Sequence, residues 1–214
     1  MNFPELAKWL EPWASKIRTV IDVGCADGYW AEDIRKVCPL AHVHGIDARP
    51  SSRAKGLVRQ GWFTHYPGTL LGDGLTEEAE FHVLNRRTAS SLLPPAHNIP
   101  DYWRAALRER EVRTLPLVTL DSLRAEKQPM TLIKLDIQGA ELEVLHGAKQ
   151  TLKHSDLLIT ELTLADSYKG QTTMAGLSEF LEVNRFRYLG NPRQALKKGV
   201  CAVIDTLWIK EDFV

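Results

Sequence analysis

The sequence predicts an α/β fold, a mostly parallel sheet with helices on both faces, and three observations carry that expectation. Short apolar runs alternate with stretches of helical periodicity over nearly the whole chain. The strongest runs, TVIDVG (19–24), LIKLD (132–136) and LLITEL (157–162), are apolar almost end to end, as strands buried on both faces must be. Small or acidic residues follow each run. In such sheets ligands bind beyond the carboxyl ends of the strands, so a site is expected there.

Taken in order, FPELAKWLEPWASKI (3–17) sets Phe3, Leu6, Trp9, Leu10, Trp13 and Ile17 at helical spacing, an amphipathic helix packed on the core. TVIDVG is the first strand. GYWAEDIRKVC (28–38) suits a helix stopped by Pro39. AHVHGIDARP (41–50) is a second strand ending at Asp47. Its His42 and His44 alternate with Val43 and read as structural rather than metal-binding. SSRAKGLVRQGW (51–62) opens with serines at a helix N-cap. FTHYPGTLLGD (63–73) carries a third strand, expected at 69–71. AEFHVLNR (79–86) alternates apolar and polar, as an exposed strand in half a hairpin would.

The stretch TASSLLPPAHNIPDYWRAALRERE (88–111) is irregular, with three prolines and the adjacent aromatics Tyr102 and Trp103. No second core follows it. It therefore reads as an insertion (85–113), a lid or binding loop, within one domain spanning 1–214 whose residues 1–18 form a helical extension. Arg104, Arg108, Arg110 and Arg113 predict a basic helical face, ordinarily solvated. VRTLPLVTLDSLRAE (112–126) leads into MTLIKLDIQG (130–139), the fourth buried strand. AELEVLHGAKQTLKH (140–154) places Leu142, Leu145, Ala148 and Leu152 on one helical face. It turns His146 to the surface and sets Glu141 in the first turn, where a negative charge suits the dipole. DLLITELTL (156–164) is a fifth strand, LSEFLEVNRF (177–186) a helix, RYLGN (187–191) the start of a short strand, and GVCAVIDTLWIK (199–210) the final strand.

Composition bounds the function. A net charge of +0 argues against a nucleic-acid binder, whose affinity rests on neutralising phosphate. It points to a small-molecule partner. Cys25, Cys38 and Cys201 are scattered and odd in number, which suits a reducing compartment rather than a disulfide framework or zinc site. The N-terminus has acids and prolines where a signal peptide would be basic and then apolar, and no apolar run reaches the length of a membrane span. A cytoplasmic protein without membrane partners is expected; oligomeric state is not legible.

The loop Gly24-Cys25-Ala26-Asp27-Gly28 narrows the ligand. It contains neither GxxxxGK[ST] nor GxGxxG, so it lacks a lysine-bearing phosphate cradle and the glycines of a pyrophosphate site. S-adenosylmethionine has no phosphate; it needs bare main chain at one glycine and polar groups for its amino-acid end and its ribose. Asp22 is placed to reach the cationic amino end, with Gly24, Cys25 and Gly28 forming the turn. Asp47, past the second strand, can accept both ribose hydroxyls. Asp27 either caps the next helix or serves the site. Asp73 either accepts from the adenine amino group or makes an Asp-Gly turn.

Lys134 lies inside a run expected to be buried, where it needs a partner or loses its proton. If the first and fourth strands are neighbours, Lys134 and Asp22 face each other as an ion pair. Asp136 and Glu161 end the fourth and fifth strands. Two such carboxylates can supply a general base whose pKa the other raises, or together hold a divalent cation such as Mg²⁺. Their bland alternatives are ordering a loop and capping a helix.

VIDVGCADGYW, GIDARP, LLGDG, AEFHVL, TASSLL, VTLDSL, LIKLDIQGAELEVLHGA and ITEL, in that order, resemble the FkbM-type methyltransferases. The resemblance runs from Thr19 to the final strand. It implies a class I, Rossmann-like methyltransferase fold of seven strands, the last antiparallel. It also implies S-adenosylmethionine as donor and transfer to a hydroxyl of a small molecule or glycan, such as a sugar or secondary metabolite. On this chain the donor site would include Asp22, Gly24, Cys25, Gly28, Asp47 and Asp73. Asp73 and the Ser90-Ser91 pair would lie near the adenine or the active site. On the residues' own reading, Ser90, Ser91 and Tyr102 are candidate acceptor contacts, and Asp136 and Glu161 are catalytic, or metal-binding if a cation takes part. Gln138 stands where a glutamate is common, which removes one acidic ligand from the metal reading. The rivals are a binding module that kept the fold without the chemistry, and a nicotinamide-dependent oxidoreductase, for which the glycine pattern is wrong.

Overall fold

In a computed structural model, residues 3–123 and 130–213 are described. The side chain of Phe3 and residues 124–126 of the predicted segment before the fourth strand lie outside them. The strands are β1 (Thr19–Val23), β2 (His42–Asp47), β3 (Phe63–Pro67), β4 (Leu70–Leu71), β5 (Glu78–Leu84), β6 (Glu109–Val118), β7 (Thr131–Leu135), β8 (Leu157–Thr163), β9 (Phe186–Lys197) and β10 (Val200–Lys210). The helices are α1 (Phe3–Leu10), α2 (Tyr29–Val37), α3 (Ser52–Val58), α4 (Asp101–Arg104), α5 (Leu120–Leu123), α6 (Glu141–His146), α7 (Lys149–Lys153) and α8 (Met174–Val183).

Seven strands form the main sheet in the order β3-β2-β1-β7-β8-β10-β9. Pairing is parallel from β3 to β8, and β10 runs antiparallel to both neighbours. The predicted reversed last strand is therefore present. Alternation along each strand feeds two cores. Val20, Val43 and Leu207 face α1, α2 and α3 through Leu6, Leu10, Ile34 and Leu57. Ile21, Ile133, Leu158 and Trp208 face α5 to α8 through Leu120, Leu145, Leu152, Leu177 and Leu181. Each such side chain, fully buried, contributes about 1.5–3 kcal/mol.

Local chemistry sets the ends. α1 stops at Leu10, just before Glu11-Pro12, where a proline disfavours the helical conformation of the residue before it; the predicted helix ran to 17, yet Trp13 and Ile17 still join the same core. Ser51 caps α3 by accepting from the Ala54 amide at 3.2 Å. The helix predicted over 140–154 breaks around Gly147 into α6 and α7.

Three predictions need correction. The third strand of the main sheet is Phe63–Pro67, in register with β2 from Val43↔Phe63 to Asp47↔Pro67. Residues 70–71 instead pair with β6 in a separate three-stranded sheet, β4-β6-β5. Arg108, Arg110 and Arg113 do not share a helical face with Arg104: Arg110 and Arg113 are on β6 and Arg108 just precedes it. β-Branched Val112 and Thr114 favour strand there, and Pro116 is foreign to a helix interior. β6 pairs antiparallel with β5, so the exposed strand expected in half a hairpin does have an antiparallel partner, one whose arginines were expected on a helix. Finally, RYLGN belongs to a twelve-residue strand, Phe186–Lys197, at the sheet edge.

Candidate functional site

The carboxyl ends of β1, β2, β7 and β8 open onto two adjoining clefts. The first encloses ≈ 730 Å³, its open mouth included, within the range of small-molecule sites. Gly24, Ala26, Asp47 and Asp136 line it, with the apolar Ile46, Leu70, Leu71 and Phe81 and the hydroxyl-bearing Ser90 and Ser91. The second, ≈ 1110 Å³, is lined by Trp103, Asp136, Gln138, Glu161, Tyr168 and Arg193 among others. Asp136 and Thr88 line both clefts.

β1 and β7 are paired with Asp22 opposite Lys134, and Lys134 Nζ donates to Asp22 Oδ1 at 2.9 Å, both side chains essentially buried. The ion pair expected across these strands is present. Nζ also reaches the Gly24 carbonyl at 3.4 Å and Asp136 Oδ2 at 3.5 Å, and lies 5.3 Å from the Trp30 ring centre. Burial works against the ammonium, but Asp22 and Asp136 outweigh it and hold the group above its ordinary range. Asp22 is 0% exposed and does not line the first cleft. Lys134 does not line it either; the pair touches the cleft wall at Gly24 and Asp136, which Lys134 contacts.

Gly24 has φ +80°, and a Cβ there would sit 2.0 Å from the Asp136 carbonyl oxygen. The glycine thus lets the end of β1 close against the loop after β7 while its bare main chain faces the cleft. Gly28 (φ +76°) begins α2 and meets Leu57, away from the cleft. Cys25 is buried, its thiol pushed up by burial, and it packs beside Gly45 rather than lining the cavity. Asp27 does not cap α2; its Oδ1 accepts from the Ser51 hydroxyl at 2.8 Å.

Asp47 accepts from the Ala26 amide and the Arg49 amide, each at 2.8 Å, and pairs with Arg49 Nε at 3.4 Å. These bonds fix its carboxylate at the rim of the first cleft. Asp73 takes its turn role: its Oδ1 accepts from the Leu75 amide at 2.9 Å, and it lines neither cleft. Ser91 Oγ donates to the Gln138 carbonyl at 2.8 Å, and Ser90 Oγ accepts from the Leu84 amide at 3.1 Å, so both hydroxyls also order the insertion. Tyr102 lines neither cleft; its neighbour Trp103 does, on the second.

Asp136 and Glu161 do flank one site. The Gln138 side-chain amide bridges them, donating at 2.9 Å to Asp136 and 3.4 Å to Glu161. Burial, Asp136 and Asp205 push the Glu161 carboxyl up to about 7, with Arg193 opposing. Arg193 donates to Glu161 at 3.0 Å. The metal reading of this pair finds no support: among the described residues no three His, Cys, Asp or Glu side chains are grouped to hold an ion. Glu141 is in the first turn of α6 as expected, but fully buried, accepting from the Gly139 amide at 3.0 Å; burial raises it to about 7. His146 is exposed, edge-on to Phe180. His42 and His44 are structural, bonded to Thr64 and Tyr66.

Sequence reasoning missed Arg193, Asp205, Tyr168 and Trp103. The signal that exposed Lys134, a charge inside an apolar strand, is repeated by Asp205 in GVCAVIDTLWIK and would have found it. No helix among the described residues is long and apolar enough to cross a membrane.

Comparison with known proteins bears on this geometry. The model of the methyltransferase FkbM domain matches residues 22–188. A 2-O-methyltransferase, NoeI, of Sinorhizobium fredii (strain NBRC 101917 / NGR234) is 25% identical over 180 residues, 76% of this chain and 70% of its own. Among solved structures, methyltransferase FkbM from Methylobacillus flagellatus KT superposes with a TM-score of 0.54 at 16% identity, over 90% of this chain. The chain spans only 44% of that protein. Magnesium protoporphyrin IX methyltransferase (ChlM) from Synechocystis PCC 6803, with bound SAM, superposes with a TM-score of 0.51 at 13% identity, over 98% of this chain and 78% of that one. The likeness to these structures is one of fold: a seven-stranded class I methyltransferase sheet.

Proposed function

The chain belongs to the FkbM methyltransferase family, and from that premise we propose that it transfers a methyl group from S-adenosylmethionine to a hydroxyl of a small molecule or glycan. The observation that carries the reading is the meeting of two clefts at Asp136 and Thr88. One suits a nucleoside; the other is polar and carboxylate-lined. NoeI is named a 2-O-methyltransferase, which favours a hydroxyl oxygen as acceptor.

The first cleft fits the donor. Gly24 and Ala26 offer main chain, Leu70, Leu71 and Phe81 an apolar wall for a base, and Asp47 a fixed carboxylate. A carboxylate has about four acceptor positions, and Asp47 spends two on amides, leaving capacity for two ribose hydroxyls. Bound there, the sulfonium would supply a methyl group already activated for displacement. Lys134 would keep Asp136 and the Gly24 carbonyl in place, with Asp22 as its counter-charge. Asp73 and Tyr102 have no part in this reading.

Glu161 is the better general base, because its raised affinity for protons matches neutral pH. Asp136 and Gln138 would orient the acceptor hydroxyl. Positioning of the reactants can contribute about 7–11 kcal/mol against ~10²–10⁴-fold for the base, so the shape of the second cleft matters more than the proton transfer. Trp103 and Ser167 line that cleft, and Trp103 Nε1 and Ser167 Oγ have no hydrogen-bond partner among the described residues. The insertion 85–113 would roof the acceptor.

Isothermal titration with S-adenosylhomocysteine, followed by transfer of labelled methyl to a panel of sugars and phenols, tests the proposal. Binding of the homocysteine nucleoside and label in an alkali-stable ether are expected. No heat with S-adenosylhomocysteine, with NADH binding instead, overturns it.

A further inference from the structure

β10 lies between β8 and β9, and the register sets Asp205 opposite Glu161 on one side and Arg193 on the other. Three charged side chains from three strands thus form a row. Arg193 NH1 is 3.0 Å from Glu161 Oε2 and 3.6 Å from Asp205 Oδ1. Asp205 is 0% exposed, and neither of its oxygens has a hydrogen-bond partner among the described residues. Replacing a whole buried ion pair by apolar residues is often neutral or stabilising, so a charge here is not required for packing, and the strand is otherwise mostly apolar. Its one polar contact among the described residues is the ion pair with Arg193.

We infer that Asp205 is a positioning residue: by drawing on Arg193 from behind, it keeps that guanidinium from locking Glu161 as a carboxylate and so leaves Glu161 able to take the acceptor's proton. The inference rests on the reading of Glu161 as general base. In the step concerned, the acceptor oxygen keeps the O–H electron pair, gives up its proton to Glu161 and forms the new O–C bond. The C–S pair departs with the sulfur of the donor.

The charges around Glu161 agree with this. Asp136 faces it from the loop after β7, Asp205 from β10 and Arg193 from β9; Gln138 and the phenol of Tyr168 complete the wall as neutral groups. Lys134 is turned to Asp22 and Asp136. Among the described residues, Asp22, Asp136, Glu161 and Asp205 therefore share two close counter-charges, the buried Lys134 and the half-buried Arg193. An excess of negative charge in a site shielded from water favours uptake of a proton.

The test uses the intact protein with ¹³C-carboxyl-labelled glutamate, the Glu161 resonance being assigned by its loss in E161Q. In D205N the Glu161 titration midpoint should fall by about one pH unit, since one like charge is removed and Arg193 becomes wholly available. The acid limb of kcat/KM should move down with it. D205S gives the same reading should the asparagine variant fold poorly. An unmoved Glu161 midpoint with only a lower Tm or kcat overturns the inference, leaving Asp205 a packing residue. A midpoint that falls while the kcat/KM limb stays put supports the coupling of Asp205 to Glu161 and overturns Glu161 as the base.

Discussion

Replacing Lys134 with methionine isolates the physical premise of the site, a buried charge pair joining β1 to β7. The substitution keeps most of the side-chain volume and removes the ammonium 2.9 Å from Asp22 Oδ1. Asp22 is then a fully buried carboxylate whose second oxygen already had no partner among the described residues. At an effective dielectric near 20, the lost attraction is about 6 kcal/mol. The fold avoids part of that by protonating Asp22. With an unfolded value near 3.8, holding the proton at pH 7 costs about 4 kcal/mol at 1.36 kcal/mol per unit, which agrees with the usual 3–5 kcal/mol for breaking a buried pair. Burial already raises the folded Asp22 pKa against the pull of Lys134 and losing Lys134 raises it further, so the deficit vanishes below the unfolded pKa and grows as pH rises, to at most about 1.5 kcal/mol at pH 5 and about 4 at pH 7. Urea denaturation at both pH values measures it. Calorimetry at pH 7 should give a Tm lower by roughly 8–16 °C, and Asp22→Leu in the same chain should restore most of the loss. Affinity for S-adenosylhomocysteine should fall too, since Lys134 also ties down Gly24 and Asp136. A deficit below about 1 kcal/mol, or one that does not change with pH, refutes the argument.

Other outcomes follow from the same geometry. Asp47→Ala removes the charged acceptor proposed for the ribose, at about 1.5–3 kcal/mol per charged hydrogen bond, so the Kd for S-adenosylhomocysteine by calorimetry should rise about 10–100-fold; an unchanged Kd would place the nucleoside elsewhere. Gly24→Ala puts a methyl 2.0 Å from the Asp136 carbonyl at a positive φ and should cost well over 1 kcal/mol, read as a lower urea midpoint. Glu141 and Glu161 are raised to about 7 and Asp205 to about 6. Their contribution to stability is present below their unfolded values and lost as pH rises to about 7. The wild-type urea midpoint should therefore drop between pH 4.5 and 7 relative to Glu141→Gln, the difference approaching 3 kcal/mol at most; parallel curves for the two proteins would refute it.

The sequence by itself determined the layered α/β architecture, because strand and helix periodicity and burial on both faces are written in consecutive residues. TVIDVG, MTLIKLDIQG and DLLITELTL could be buried strands and little else. Lys134 was legible for the same reason: a charge in a fully buried run must be neutralised, and a parallel neighbour with an acid at matching height was available. That Asp47, Asp136 and Glu161 would line clefts was legible because strand ends in such sheets are where clefts form. Only the tertiary structure decided the rest. Residues 63–73 contain two apolar segments, and the choice of which joins β2 depends on pairing, not on either segment's own pattern. For the arginines of 108–113, Val112, Thr114 and Pro116 hinted at a strand, but its partner, β5, lies more than twenty residues upstream across the insertion and only the fold supplies the pairing. Of the two adjacent aromatics, packing turned Trp103 rather than Tyr102 to the cleft. Asp205, Arg193 and Glu161 meet because the last strand enters the sheet between two earlier ones. Strand order is a property of the folded chain, and charges far apart in sequence acquire their partners, and their proton affinities, only when that order is made.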